Sequence, residues 1–203
     1  MINNMIVYRE ANSDDLKKIA LVHIDCFPKT MITLLGQRLI SSYYGEFLRE
    51  DNIFIIAESK DDIVGFCMGY ESGSEAKSMF IKKNKIRLVI RLLYLCATCN
   101  KLAIRKCWNY LRPQKCEEKR IKKIADADLL SICVKDVCKG KGVAQQLVNN
   151  FENVLLEKHL VDYTLSVYKT NARAIKFYEK MGLEIISESD DEYKMYKKTK
   201  ETL

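Results

Sequence analysis

The sequence predicts a mixed α/β fold, ordered β-α-α-β-β, a basic helical insert, then β-α-β-α-β-β. Three observations predict it. Short runs of alternating apolar and polar residues sit between longer runs with helical recurrence. The segment Val134 to Leu156, VKDVCKGKGVAQQLVNNFENVLL, reads as a strand end, a glycine-containing basic loop and an amphipathic helix. Fifteen residues later a second punctuated unit follows, NARAIKFYEKMGLE, from Asn171 to Glu184.

The elements follow in order. Met5 to Tyr8 suggests a first strand, and Ser13 is placed to cap a helix over Asp15 to Ala20. Phe27 to Leu48 carries Leu35, Leu39, Tyr43 and Phe47 four apart, one buried helical stripe, with Gly36 and Gly45 weakening its continuity. Ile53–Glu58 and Ile63–Tyr70 read as strands of an antiparallel hairpin around Asp61-Asp62, and residues 71–75 as a loop. From Met79 to about Tyr110 the chain is basic and apolar together, one long or two broken helices that Arg112-Pro113 would end. A charged run, Lys115 to Lys123, leads back to the core.

Leu130, Ile132 and Val134 alternate, so Leu129–Val134 is a strand. The helix Gly142–Leu156 has apolar positions at 143, 147, 148, 151, 154 and 155. Tyr163, Leu165 and Val167 alternate again. Asn171 is an N-cap for Ala172–Met181, and Gly182 stands where the chain must leave that helix. Ile185–Ser187 and Tyr193–Tyr196 can pair as a last hairpin around an acidic loop.

The 203 residues suit one domain with a full core, or one domain carrying an insertion. No run of eighteen uninterrupted apolar residues is present, and the N-terminus lacks a basic region followed by an apolar one, so neither a spanning helix nor a signal peptide is expected. Eight cysteines are dilute for a disulfide scaffold. Cys96, Cys99, Cys107 and Cys116 contain only one close pair, within a helical run, so they read better as buried reduced thiols than as zinc ligands. No metal is expected.

The net charge of +7 is uneven. Residues 77–123 hold 15 Lys or Arg against two Glu, a balance of +13, which leaves −6 for the rest. Three readings fit this segment: a surface helix pair covering the domain, a contact with an anionic membrane surface or polyanion, and an oligomer contact such as a homodimer. Amphipathicity alone does not choose among them.

The chemistry concentrates in the loop Lys139-Gly140-Lys141-Gly142-Val143-Ala144. A helix start leaves backbone N–H groups unpaired, and its dipole favours an anion there. Gly140 and Gly142 let the backbone approach a pyrophosphate, and Lys139 and Lys141 add positive charge. GxxxxGK[ST] is absent, and GxGxxG fails after Gly142, which excludes the Walker and Rossmann loops.

The order of elements and both motifs resemble the GCN5-related N-acetyltransferase (GNAT) superfamily. The family's acyl-CoA loop, Gln/Arg-x-x-Gly-x-Gly/Ala, is matched by Lys139 to Ala144, with Lys in place of the leading Arg or Gln. Its second block is matched by Asn171, Ala174, Phe177-Tyr178 and Gly182-Leu183. The resemblance implies a central mixed, mostly antiparallel sheet flanked by helices, with the basic helical insertion between the third and fourth strands. It implies a single acyl-CoA N-acyltransferase domain over 1–200, with the insertion at about 76–125.

It further implies acetyl-CoA as cosubstrate and direct attack of a primary amine on the thioester. Ile132, Cys133 and Val134, the loop from Lys139 to Ala144, and Asn171, Ala174, Phe177 and Tyr178 would hold the CoA arm. A backbone N–H near Cys133 or Val134 would polarise the carbonyl. Tyr178 would protonate the leaving thiolate, a phenol suiting an acid and not a base. Packing alone would equally explain its ring. The base has a thinner match: Asp128 falls nearest the family's position, though a solvent-facing turn residue would look the same. His23 and His159 read as structural. The acceptor is a small-molecule or peptide amine; the acidic loop Asp190, Asp191 and Glu192 hints at a cation and the insert at an anion. The expected location is cytoplasmic, with a peripheral membrane position left open. A noncatalytic acyl-CoA sensor or scaffold, and a nucleic-acid or membrane module driven by the insert, are the competing readings. The insert shows none of the RRM, zinc-finger or helix-turn-helix signatures.

Overall fold

A computed structural model describes residues 5–60, 62–98 and 124–199. Its strands are β1 (Val7–Glu10), β2 (Asn52–Ser59), β3 (Asp62–Glu71), β4 (Ala127–Val134), β5 (Asp162–Tyr168), β6 (Glu184–Glu188) and β7 (Glu192–Lys198). Its helices are α1 (Leu16–Cys26), α2 (Met31–Leu35), α3 (Gln37–Gly45), α4 (Ala76–Ala97), α5 (Val143–Glu157) and α6 (Ala172–Lys180). The strands form one sheet in the order β1-β2-β3-β4-β5-β7-β6. Every neighbouring pair is antiparallel except β4 and β5. The mixed, mostly antiparallel sheet flanked by helices is therefore as expected, with helix α4 between the third and fourth strands.

Both faces of the sheet are covered, which is why β2 and β3 read as nearly continuous apolar runs. Ile53, Ile55 and Ala57 of β2 join a core with α5, including Leu147, Val148, Phe151 and Leu155. Phe54 and Ile56 point the other way, into a core with Ile19 of α1, Ile40 and Tyr44 of α3, and Phe80 of α4. A fully buried side chain such as Phe151 stabilises the fold by about 1.5–3 kcal/mol. Glu152 ties α5 to the far half of the sheet: it accepts from Tyr163 Oη at 2.6 Å and from Lys197 Nζ at 2.7 Å.

Several local expectations change. The first cap is Asn12, not Ser13: its Oδ1 accepts from Asp14 N, and Asp15 Oδ2 accepts from Asn12 N, each at 2.9 Å. A short 3-10 turn over Ser13–Asp15 follows, and α1 then runs on to Cys26. The expected helix Phe27–Leu48 is two helices. Gly36 has φ +87°, which a right-handed helix cannot hold, and it separates α2 from α3. α4 is one unbroken helix as far as Ala97. The expected continuation to Tyr110, the Arg112-Pro113 stop, the Lys115–Lys123 run and Cys99, Cys107 and Cys116 lie outside the described residues.

Candidate functional site

β4 and β5 run parallel, so both deliver their carboxyl ends, and the helices that follow, to the same end of the sheet. They pair only at Ala127↔Tyr163 and Asp128↔Thr164, and then separate. The closed end is pinned by side chains. Asp162 accepts from Asp126 N at 2.7 Å and from Tyr196 Oη at 3.0 Å, and Asp126 accepts from Val161 N at 3.1 Å. From Leu129 to Val134, β4 keeps its ladder to β3 but has none to β5. That ladder slips between Met68↔Ser131 and Gly69↔Leu129, so Leu130 is an extra residue, a bulge that bends β4 where it leaves β5. The open edge presents backbone N–H and C=O groups that an extended, amide-bearing ligand can pair with.

At the mouth of this wedge stands the glycine loop. Gly140 and Gly142 both have φ +77°, and a Cβ built on either meets nothing within 4 Å. Gly142 is the N-cap of α5 and supplies no side-chain cap, so the first N–H groups of that helix face outward without one. Lys139 forms an ion pair with Asp136, and that contact draws the Asp136 carboxyl below its ordinary pKa. Arg173, in the first turn of α6, adds to the same effect, which places a second cation beside the loop. Space, free donors and positive charge together fit a pyrophosphate.

The remaining candidates sit on β4 and on the α5 and α6 units that follow the two strands. Ile132, Val134, Val143, Ala144, Ala174, Phe177 and Tyr178 belong to or pack against one core, on the α5 and α6 side of the sheet. Cys133 does not. Its side chain lies in the opposite core, where Cys26 also packs, and its backbone pairs with Phe66 of β3, so it offers the wedge neither. Asn171 caps α6, its Oδ1 accepting from Ala174 N at 3.2 Å, which leaves its amide NH2 as a donor at the mouth. Tyr178 is 8% exposed, and its ring lies 5.3 Å from that of Phe177. Burial, and then the nearby Cys67 thiol, push its phenol above the ordinary value, so the hydroxyl keeps its proton at neutral pH.

Asp128 opens into a cleft of about 920 Å³, lined among others by Tyr70, Ser72, Thr164, Ser166, Glu192 and Lys194. Its Oδ2 accepts from Lys194 Nζ at 2.8 Å, so it is an ion-paired group and not a loose turn residue. Tyr70 stands opposite Asp128 across the β3–β4 ladder. Burial and then the Asp128 charge push Tyr70 up to about 12. Lys77 donates to Tyr70 Oη at 3.3 Å, and burial draws its ammonium downward while Asp128 opposes that shift. Ser189 and Glu192 of the acidic loop reach the cleft wall, as does Glu188. His23 is structural: it is buried, bonded to Tyr44 Oη at 2.6 Å through Nδ1, and pushed down to about 4 by burial. His159 follows α5 with φ 58°, a left-handed exit from the helix.

The sequence model of the acetyltransferase (GNAT) family matches residues 102–183, which hold β4, the glycine loop, α5, β5 and α6. Over these residues the chain is similar to that family. No curated protein matches its sequence. Solved structures share the GNAT fold over almost the whole chain. One is the PaiA N-acetyltransferase of Thermoplasma acidophilum in complex with coenzyme A, at 16% identity and TM-score 0.57, covering 96% of this chain and 99% of that one. Ard1 of Thermoplasma volcanium gives 18% identity and TM-score 0.60, covering 97% and 99%. The ribosomal-protein-S18-alanine N-acetyltransferase of Escherichia coli gives 12% and 0.60, covering 98% and 96%. Against this GNAT frame, Arg173, Tyr70, Lys77 and Lys194 are the site neighbours that sequence reasoning missed. Lys194 lies 66 residues from Asp128, and no local pattern announces such a contact.

Proposed function

We propose that this chain is an acetyl-CoA-dependent N-acetyltransferase acting on a primary amine of a small molecule or peptide. It would work as one acyltransferase domain over 1–200, with 76–125 inserted, in the cytoplasm. The observation that carries this reading is the open β4 edge leading to the glycine loop and the α5 N-terminus. The residues fit the cosubstrate. The outward N–H groups at Gly142 to Ala144, with Lys139 and Lys141, hold the pyrophosphate. The free edge of Ile132 to Val134 pairs the pantetheine amides, and Asn171 donates to the same arm. Acetyl-CoA supplies an activated acyl group on a thiol. Of the two expected donors, Cys133 and Val134, the first is turned to β3, and the backbone N–H of Val134 polarises the acyl carbonyl. Asp128, oriented by Lys194, receives the proton of the incoming amine, directly or through a water. Tyr178 donates its proton to the departing sulfur. The amine enters by the cleft around Asp128, Tyr70 and Lys194.

Calorimetry with acetyl-CoA, followed by thioester consumption over polyamines, amino sugars and peptide amines with hydrolysis controls, tests the proposal. Saturable binding with amine-dependent turnover is expected. Folded protein that does not bind at high micromolar acetyl-CoA would sink the whole reading. Binding without transfer to any amine would leave an acyl-CoA sensor instead.

A further inference from the structure

We infer that the outward face of α4 docks on an anionic membrane surface. α4 is 22 residues long, about 33 Å, and only one side of it packs on the domain, through Ala76, Phe80, Asn84 and Leu95. The opposite side is apolar over its C-terminal half. Ile86 is 76% and Leu93 65% exposed, and Val89 and Ile90 between them are exposed as well. Large apolar side chains gathered on one exposed helix face mark an interaction surface and not ordinary scatter.

Charge decides what covers it. From Ala76 to Ala97 the helix has no Asp or Glu. Lys83 is engaged by Glu46 at 2.8 Å, and Arg91 donates to the Leu34 carbonyl at 3.0 Å, so these two serve the fold. Lys82, Lys85 and Arg87 are exposed; the first two precede the apolar patch and Arg87 follows its first residue, Ile86. A second copy laid on this face would set cations against cations, with no carboxylate on the helix to meet them. A sheet of anionic lipid headgroups satisfies both features: the cations take the phosphates while Ile86, Val89, Ile90 and Leu93 enter the acyl boundary. Among the described residues no helix is long and apolar enough to cross a membrane, so α4 would lie in the interface. Because α4 starts just beyond Gly73 on the rim of the cleft, docking sets that cleft beside the lipid surface.

The test needs no acetyl acceptor and stands apart from catalysis. The full chain is sedimented with vesicles of phosphatidylcholine alone, or of equal parts phosphatidylcholine and phosphatidylglycerol. Strong, salt-sensitive binding to the mixed vesicles only is expected. Lys82→Glu with Lys85→Glu lowers it at least about tenfold, since each cation near such a surface is worth roughly a fivefold factor. Ile90→Asp with Leu93→Asp lowers it comparably, and circular dichroism checks that these surface variants stay folded. Equal binding to both vesicles, or binding that survives both double variants, overturns the inference. So does a dimer in sedimentation velocity that Leu93→Asp dissolves, because a second copy would then cover the face.

Discussion

Gly142→Ala separates two roles that one residue plays. Its φ of +77° lies in the left-handed region, where a side chain costs about 1–2 kcal/mol. A Cβ there meets nothing within 4 Å, so no clash with the protein adds to that cost. For a chain of this size the loss corresponds to roughly 2–8 °C in Tm. In the proposed site the pyrophosphate approaches the α5 N–H groups through the empty space beside Gly142, so the new methyl is expected to weaken acetyl-CoA binding as well, by about tenfold or more if one strong contact is lost. Gly73→Ala is the control. It too has positive φ, +103°, and open space, but it lies on the cleft rim away from the loop. Thermal melts should show similar losses for both variants, while calorimetry at a temperature where both are folded should show weaker acetyl-CoA binding for Gly142→Ala alone. Equal, undiminished affinity in the two variants would refute the assignment of this loop to the pyrophosphate.

Three further outcomes are expected. Tyr178→Phe keeps the buried ring and removes the acid, so acetyl-CoA affinity should hold while steady-state kcat falls about 10²–10⁴-fold; unchanged kcat under rate-limiting chemistry would remove Tyr178 from catalysis. Asp128→Asn should lower kcat by a similar factor with calorimetric acetyl-CoA affinity intact, and parental turnover would free Asp128 from the role of base. His23, buried and pushed down to about 4, stays neutral in the fold but is protonated near its ordinary 6.5 when unfolded. Its contribution is therefore complete above about pH 6.5 and lost as pH falls toward 4. Urea titrations should show the parent losing roughly 2.5 kcal/mol more than His23→Gln between pH 7 and pH 4.5, and parallel losses would contradict a buried neutral His23.

Much of the frame was legible because it rests on local patterns. The α5 stripe from Val143 to Leu155 follows from the helical period, and the alternation in Leu129–Val134 follows from the strand period. Gly142 and Asn171 mark helix starts through their own backbone and side-chain chemistry. The break at Gly36 was visible only as a weakened helix, since a glycine tolerates both the helical and the left-handed backbone until its neighbours choose. What local pattern could not reach is pairing between distant strands. The β4–β5 wedge exists because Asp126 and Asp162, 36 residues apart, clamp one end while the bulge at Leu130 turns β4 away. Asp128 looked like a possible turn residue until folding set it against Lys194 and opposite Tyr70. Cys133 belonged to the expected groove by position, yet the pleat turns its thiol into the other core. The sequence by itself determined the glycine-containing turn into α5 and the likeness to the acetyltransferase family, because both are written in contiguous residues. Only the tertiary structure decided where the strands part, which carboxylate has a cationic partner, and that one face of α4 is left uncovered, because each of these is a relation between segments that the chain brings together on folding.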